Sequence, residues 1–196
     1  MTLDLILLQT FTGLALGSIL VLMALGMSLI FGMLTVPNFA HGAFYMVGAY
    51  AGVAAFRATD SFVAALVAAP LVVAFLGFGV ERALVRPLYG RGLDYPIVLT
   101  FGLAYVLIDL IRIFFGKEGI PFEAPELLQG SVFLGFGYFP IYRIFLIGVC
   151  LAVVTTLYLC LERTRFGLVV RAGANDPDIV RILGVDIRTI WMMVFG

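Results

Sequence analysis

The side chains that could carry chemistry are few and lie far apart along this 196-residue chain. His41 is the only histidine, and a metal site needs about three or four ligands, so we predict neither a metal nor another cofactor. Asp109 and Arg112 interrupt a long apolar stretch, and at i, i+3 spacing on a helix they can form an ion pair. Cys150 and Cys160 lie about 15 Å apart on one predicted helix, too far for a disulfide. No cluster indicates a catalytic site, and we predict that the chain is not an enzyme.

The composition of the chain is very apolar, and it predicts the class of protein to which these residues belong. Apolar residue types make up 63% of the chain, charged residues make up 12%, and the mean hydropathy is +1.14. Charged residues make up about 25% of a typical soluble domain, and a soluble domain of this composition would expose too much apolar surface. The formal net charge is zero, which argues against a basic surface for nucleic acid. We therefore predict an integral membrane protein whose surroundings are the lipid bilayer.

Uncharged stretches of membrane-spanning length predict the architecture. Residues 5–56 carry no charged side chain, and a helix crosses the hydrocarbon core in about 20 residues. The apolar runs are continuous and too long for barrel strands of about 10 residues, so we predict an all-α polytopic transmembrane helical bundle in one domain, 1–196. Five spans are predicted near residues 11–34, 42–56, 61–80, 96–115 and 141–161, with a sixth helix starting near residue 189. Since a lipid-buried helix cannot end with unpaired carbonyls, we expect this domain to be incomplete at its C-terminus.

The placement of arginines predicts the orientation of the bundle. Three arginines fall in residues 81–95 and five in residues 162–188, two segments that five spans place on the same side. Basic loops favour the cytoplasmic side of a membrane. These segments are therefore predicted to be cytoplasmic, and the N-terminus, which carries Asp4 and no basic side chain, is predicted to lie outside.

A polar break near residues 35–42 interrupts the first uncharged stretch. Pro37 removes a backbone donor and disfavours helix at the preceding residue, and Gly42 allows a sharp bend or a close backbone approach. Two interpretations fit this break. It is either a tight turn at the inner membrane surface, in which Asn38 caps the next helix, or a broken helix whose free backbone groups face a cavity. Asn38 and His41 supply the polar side chains in both cases.

The segment 162–188 contains the signals of a short helix outside the membrane, at about residues 177–183. Asp176 is predicted to be its N-cap, Pro177 its first residue and Gly184 the residue that ends it. Three apolar side chains fall on one face of this helix: Ile179, Ile182 and Leu183. A helix of this length is not stable alone. It must pack on its own bundle, on the lipid surface or in a groove of a partner.

Three stretches of the sequence resemble the permease subunits of bacterial ABC importers for branched-chain amino acids. They are NFAHG at 38–42, the ER…RPL pattern at 81–88, and RTRFGLVVRAGANDPDIVRILGVD at 163–186. The resemblance implies an inner-membrane permease that works with a second permease subunit, two cytoplasmic ATP-binding subunits and a periplasmic or extracellular substrate-binding protein. The sequence contains no G-x-x-x-x-G-K-[S/T] phosphate-binding motif, so ATP hydrolysis is expected in a separate subunit.

The resemblance also implies roles for individual residues. In the broken-helix interpretation, the substrate pathway is lined by Asn38, Phe39, His41 and Gly42. The segment 163–186 resembles the loop that couples such permeases to their ATPases. Its coupling residues are Arg165, Gly167, Arg171, Asp176, Ile179, Ile182, Leu183 and Gly184. The outer loop 117–140 is expected to be either a docking surface for the binding protein or an ordinary solvated loop.

Two other functions remain open on the sequence. One is an ABC permease for another small solute, such as urea, an amide or a sugar. The other is an ion-coupled secondary transporter, which needs a titratable group within the membrane. Only Asp109 and His41 are available for that role, and this alternative predicts transport without a partner ATPase.

Overall fold

The computed structural model describes residues 3–34, 37–92 and 94–196. Within them, eight α-helices give the all-α bundle that the sequence predicted. The helices are α1 (Leu3–Leu34), α2 (His41–Thr59), α3 (Phe62–Val80), α4 (Asp94–Phe115), α5 (Ile141–Arg163), α6 (Arg165–Asn175), α7 (Pro177–Ile182) and α8 (Ile187–Phe195). α3 runs directly into a π-helical turn, Glu81–Val85, and a 3₁₀ turn, Arg86–Leu88. The strands β1 (Ser131–Phe133) and β2 (Tyr138–Pro140) form an antiparallel hairpin, preceded by a 3₁₀ turn, Glu126–Leu128.

Four helices in the described part of the chain are long and apolar enough to cross a membrane. They are Leu3–Leu34, Phe62–Leu88, Asp94–Phe115 and Ile141–Arg163. α2 overlaps the predicted span 42–56 but is not among the four. Its 19 residues include His41 and Arg57 as well as two tyrosines, which make it less apolar than its neighbours.

α2 and α3 form a close antiparallel pair because small residues line their contact. A Cβ atom at Gly48 would lie 3.0 Å from Val73 Cγ2, and one at Gly52 would lie 3.5 Å from the Cβ of Ala69. Ser61 caps the start of α3 by accepting a hydrogen bond from a backbone N–H. Larger residues at the two glycine positions would push α2 off α3.

α5 lies against α1, and polar groups reinforce this contact at two levels. The Arg143 guanidinium donates to Thr12 Oγ1 at 2.9 Å. Two turns further along, the Cys150 thiol donates to the Ser18 carbonyl at 3.3 Å. α1 therefore has α5 on one side, while its C-terminal end leads towards the polar break.

The hairpin β1–β2 covers the start of α1. Phe139 is almost fully buried, and its ring meets Phe11 edge to face at 5.7 Å between centroids. The sequence predicted only a loop at 117–140. Strands of three residues are too short to show an alternating pattern.

Two buried apolar clusters hold the bundle together. The first contains Ile30, Leu34, Ala40, Ala43, Phe44, Val80, Val85, Leu107 and Phe195. The second contains Met33, Val170, Val180, Ile187 and Val194. Consecutive residues of α1, Met33 and Leu34, thus belong to different clusters. The end of α1 connects the packing around the polar break with the packing under α6, α7 and α8.

Candidate functional site

The first residue of α2 packs against the last third of α1. The His41 Cε1 lies 3.0 Å from the position of a Cβ on Gly26. Gly26 precedes the last residue of α1, Leu34, by about 12 Å along the helix axis. The absence of a side chain at Gly26 therefore leaves room for the His41 ring.

Asn38 is the buried polar residue of the break. It is 3% exposed, its Oδ1 accepts a hydrogen bond from Ala40 N at 3.0 Å, and its carbonyl accepts one from His41 N at 3.2 Å. Its Nδ2 is also buried and has no hydrogen-bond partner in the described residues. A buried donor without a partner costs free energy, so this group is available to an acceptor that enters the site.

The expected capping role of Asn38 is wrong. The residue before α2 is Ala40, in helical conformation and without a side-chain cap. The Asn38 oxygen satisfies the N–H of Ala40, which lies outside the helix. Asn38 thus closes the turn that leads into α2 and does not cap the helix itself.

Thr100 of α4 anchors the break from a distant part of the sequence. Its Oγ1 accepts a hydrogen bond from Phe39 N at 3.3 Å and donates to the Pro96 carbonyl at 2.9 Å. Thr100 is 0% exposed, so this is an interior polar contact. The sequence analysis missed it, and the only signal was a threonine in an apolar run that begins with a proline.

The other predicted pathway residues have different surroundings. The Phe39 ring is exposed, while the His41 ring packs on α1. Gly42 lies in the first turn of α2, has no positive φ, and a Cβ there would meet nothing within 4 Å. The expected sharp bend or close backbone approach at Gly42 is therefore wrong. Phe39 and Gly42 face open space, whereas Asn38 lies in the interior.

α7 matches the short helix predicted outside the membrane. Asp176 is its N-cap, with Oδ1 accepting from Asp178 N at 3.0 Å and Ile179 N at 3.1 Å. Pro177 is its first residue, and Gly184 follows the helix with a φ of +82°. The predicted caps are confirmed.

The packing of α7 divides its apolar residues into two groups. Val180 is buried in the second cluster with Met33 and Ile187. The predicted face points away from the bundle, with Ile182 83% and Leu183 76% exposed, and Ile179 is exposed beside them. One side chain thus holds α7 on the bundle while three present an uncovered apolar surface.

α6 is an element that the sequence analysis missed. Its N-cap is Thr164, whose Oγ1 accepts from Gly167 N at 3.1 Å, and its first residue is the exposed Arg165. Arg171 pairs with Glu162 at 3.4 Å and donates to the Leu161 carbonyl. Thr164 was the available signal, since threonine is a common N-cap, but the sequence analysis predicted only the helix near 177–183 in this segment.

Gly167 makes the corner between α5 and α6 possible. A Cβ on Gly167 would overlap the backbone of Leu161 at the end of α5. The two helices are separated only by Thr164, which is their common boundary residue. α6 is therefore held tightly against the end of the membrane-length helix α5.

A buried ion pair joins the end of α3 to α8. Glu81 is fully buried, and its carboxylate accepts from Arg86 at 2.8 Å and from the Tyr89 hydroxyl at 3.0 Å. Arg86 also donates to the Arg188 carbonyl at 3.4 Å. Burial beside the Glu81 carboxylate raises the pKa of Tyr89. In the sequence, Glu81 and Arg86 were noted only as part of the ER…RPL pattern at 81–88, and the burial of Glu81 could not be predicted from it.

Asp109 and Arg112 form the predicted i, i+3 ion pair. Arg112 Nη1 lies 3.3 Å from Asp109 Oδ1, and both side chains are exposed on the surface of α4. They contact neither the polar break nor α7. Within the described residues, no group of three or more His, Cys, Asp and Glu side chains is placed to hold a metal ion.

Comparisons of the sequence with known proteins place this chain in a family. The profile of the family described as branched-chain amino acid transport system / permease component matches residues 9–196. The chain is 28% identical to the high-affinity branched-chain amino acid transport system permease protein BraD of Pseudomonas aeruginosa, over 95% of this chain and 65% of that protein. It is 24% identical to the LivH permease protein of Escherichia coli K12 over the same shares.

The relatives also include an archaeal protein, and all of them are longer than this chain. The chain is 30% identical to the probable branched-chain amino acid transport permease protein LivH of Methanocaldococcus jannaschii, over 88% of this chain and 56% of that protein. The chain thus spans 65% or less of the length of these three relatives. No solved structure matches it.

Proposed function

The chain belongs to the family of permease components of branched-chain amino acid transport systems, and we propose that it serves as a permease subunit of an ABC importer. Its membrane-length helices make it a multi-pass membrane protein. The proposed cargo is a branched-chain or related amino acid, in keeping with the names of its relatives. The observation that carries the proposal is α7, a capped helix with an uncovered apolar face.

In this proposal, α7 docks in a groove of a cytoplasmic ATP-binding subunit. Burial of Ile179, Ile182 and Leu183 in such a groove would remove their apolar surface from water, which stabilises the contact by about 25 cal/mol per Å². Two ATP-binding subunits, a second permease subunit and an external substrate-binding protein complete the proposed importer. The subunits hydrolyse ATP, and this chain transmits the resulting movement.

The packing of α1 supplies a route for that movement. Val180 of α7 packs with Met33, and the next residue, Leu34, packs with Ala40 and Phe44 around the break. Packed interiors shift between discrete arrangements rather than deforming freely. A displacement of α7 would therefore move the end of α1 and, through it, the polar break. Nucleotide drives the change only if the ATPase binds one arrangement more tightly than the other.

The proposed pathway passes the polar break. The free Nδ2 of Asn38 supplies a donor, and Phe39 and Gly42 border open space. Transporters place irregular backbone and unsatisfied polar groups where a polar cargo replaces water. These features support Asn38, Phe39, His41 and Gly42 as pathway residues.

The proposed orientation puts α6 and α7 in the cytoplasm and the N-terminus outside the inner membrane. The arginines in 81–95 and 162–188 support it. Both arginine-rich segments lie at the same end of the bundle, since Arg86 contacts the Arg188 carbonyl.

The docking proposal is tested by placing a charge on α7. Leu183→Asp is expected to abolish co-purification of the ATP-binding subunits and ATP-driven uptake, without unfolding the bundle, because residue 183 is 76% exposed. Leu168→Asp is the matched control, since Leu168 is a 62% exposed leucine on the neighbouring α6. Normal co-purification and uptake in Leu183→Asp, or equal loss in both variants, would reject α7 as the docking element.

A further inference from the structure

A cavity of about 500 Å³ lies where the turn after α3 meets α7 and α8. It is distinct from the polar break and from the exposed apolar face of α7. Four arginines from these three elements line it: Arg82, Arg86, Arg181 and Arg188. Such a concentration of guanidinium groups around one cavity is the usual composition of a site for a phosphate or carboxylate.

Two of the four charges are compensated within the chain and two are not. Arg86 is paired with Glu81 at 2.8 Å, and Arg181 with Asp178 at 3.2 Å. Within the described residues, the guanidinium groups of Arg82 and Arg188 have no ion-pair partner. The cavity therefore carries a net positive charge, even though the Asp186 carboxylate is also close enough to Arg86 to attract it.

The cavity lies at one end of a helix that is long enough to cross a membrane, Phe62–Leu88. Arg82 and Arg86 lie in the last two turns of that helix. Arginine side chains near the end of a membrane helix reach towards the lipid headgroups. Tyr89 and Trp191 also line the cavity and meet edge to face at 4.8 Å. Tyrosine and tryptophan are enriched at the membrane–water interface.

We propose that this cavity binds the phosphate group of an anionic membrane lipid. Arg82 and Arg188 would pair with the phosphate, and the apolar length of α3 would lie beside the acyl chains. Basic pockets between helices on the cytoplasmic side are suited to such headgroups. The proposal rests on the proposed orientation, which puts this end of the bundle in the cytoplasm, and does not depend on the transported solute.

The test measures lipid binding to the intact protein with the subunits that co-purify with it. After delipidation, native mass spectrometry follows the binding of added phosphatidylglycerol and, separately, phosphatidylethanolamine. In Arg82→Ala/Arg188→Ala, binding of phosphatidylglycerol is expected to weaken about ten- to thirtyfold, since each arginine near the surface contributes about one kcal/mol. The matched control is Arg91→Ala/Arg163→Ala, which removes two exposed arginines that do not line the cavity. This control is expected to bind like the wild type.

An additional variant and a competition experiment distinguish lipid binding from binding of other ligands. Arg82→Lys/Arg188→Lys keeps the charge and is expected to retain most of the binding, which also guards against a folding defect in the alanine variant. The proposal is overturned if the alanine variant binds phosphatidylglycerol as the control does, or if phosphatidylethanolamine binds equally well. It is also overturned if inorganic phosphate displaces the lipid at equal concentration, which would indicate a free anion. Loss of a partner subunit with unchanged lipid binding would indicate a protein contact instead.

Discussion

The polar break and α7 are both short segments between longer helices, but only the break depends on a hydrogen bond to a distant part of the chain. α7 is capped by its own neighbour, Asp176, and turns three apolar side chains outward. The break is held by Thr100, 61 residues away from Phe39, and keeps an unpaired amide in the interior. A helix with its own cap can form whatever it contacts, as an element that binds a separate protein must. A segment hydrogen-bonded to α4 changes position when α4 moves.

The largest effect is expected at the ion pair after α3, outside both regions, which contacts α8. Glu81→Ala removes the acceptor of Arg86 and Tyr89 and is expected to destabilise the protein by about 2–3 kcal/mol, less than for a fully buried pair because Arg86 is partly exposed. Thermal unfolding in detergent measures the loss. Glu81→Gln, which retains an acceptor for Tyr89, should lose less. Equal stability of the alanine variant and the wild type would mean that the pair does not support the fold.

A smaller effect is expected when the anchor of the break is removed. Thr100→Val leaves the partly buried N–H of Phe39 without its acceptor, at a cost of about 1–2 kcal/mol. Hydrogen exchange should increase around residues 38–41 and remain unchanged in α7. Thr100→Ser is the control that keeps the hydroxyl. An equal increase in hydrogen exchange throughout the chain would contradict a local role for Thr100.

A similar loss of stability, confined to a different region, is expected at α7. Asp176→Ala removes the cap and should cost about 1 kcal/mol. Here exchange is expected to rise in α7 and not around Asn38, the reverse of the result for Thr100→Val. Asp176→Asn, which retains the accepting oxygen, should preserve the helix. If both alanine and asparagine behave like wild type, the cap is not needed to form α7.

The smallest change in stability is expected at His41, whose role is assigned to transport. His41→Leu should leave complex assembly intact while reducing uptake about tenfold or more, the equivalent of one lost polar contact to the solute. His41→Gln keeps a donor and should retain more uptake. Uptake at the wild-type rate in the leucine variant would move the pathway away from the break.

The comparison also shows which features can be predicted from sequence. Asp176, Pro177 and Gly184 act within one helical turn of their own positions, so their type and spacing were enough to predict α7. The all-α fold followed in the same way from the length of the apolar runs. Thr100 could not be predicted because its partner is distant in the chain, and the error at Gly42 arose because a flexible residue need not be where the chain bends.

The sequence also could not predict which charged side chains are buried. Glu81 and Asp109 both follow apolar runs and have an arginine within five residues, but Glu81 is fully buried and Asp109 is exposed. Their difference depends on what packs against α3 and α4. α8 covers the end of α3, while no element covers the face of α4 that carries Asp109 in the described structure.

The close approach at Gly167 leaves α5 and α6 little freedom to move independently. Only Thr164 separates the two helices, and a Cβ at Gly167 would overlap the Leu161 backbone. A displacement of α6 is therefore expected to displace the end of α5 as well. Since α5 is hydrogen-bonded to α1 at Thr12 and Ser18, α1 is expected to follow.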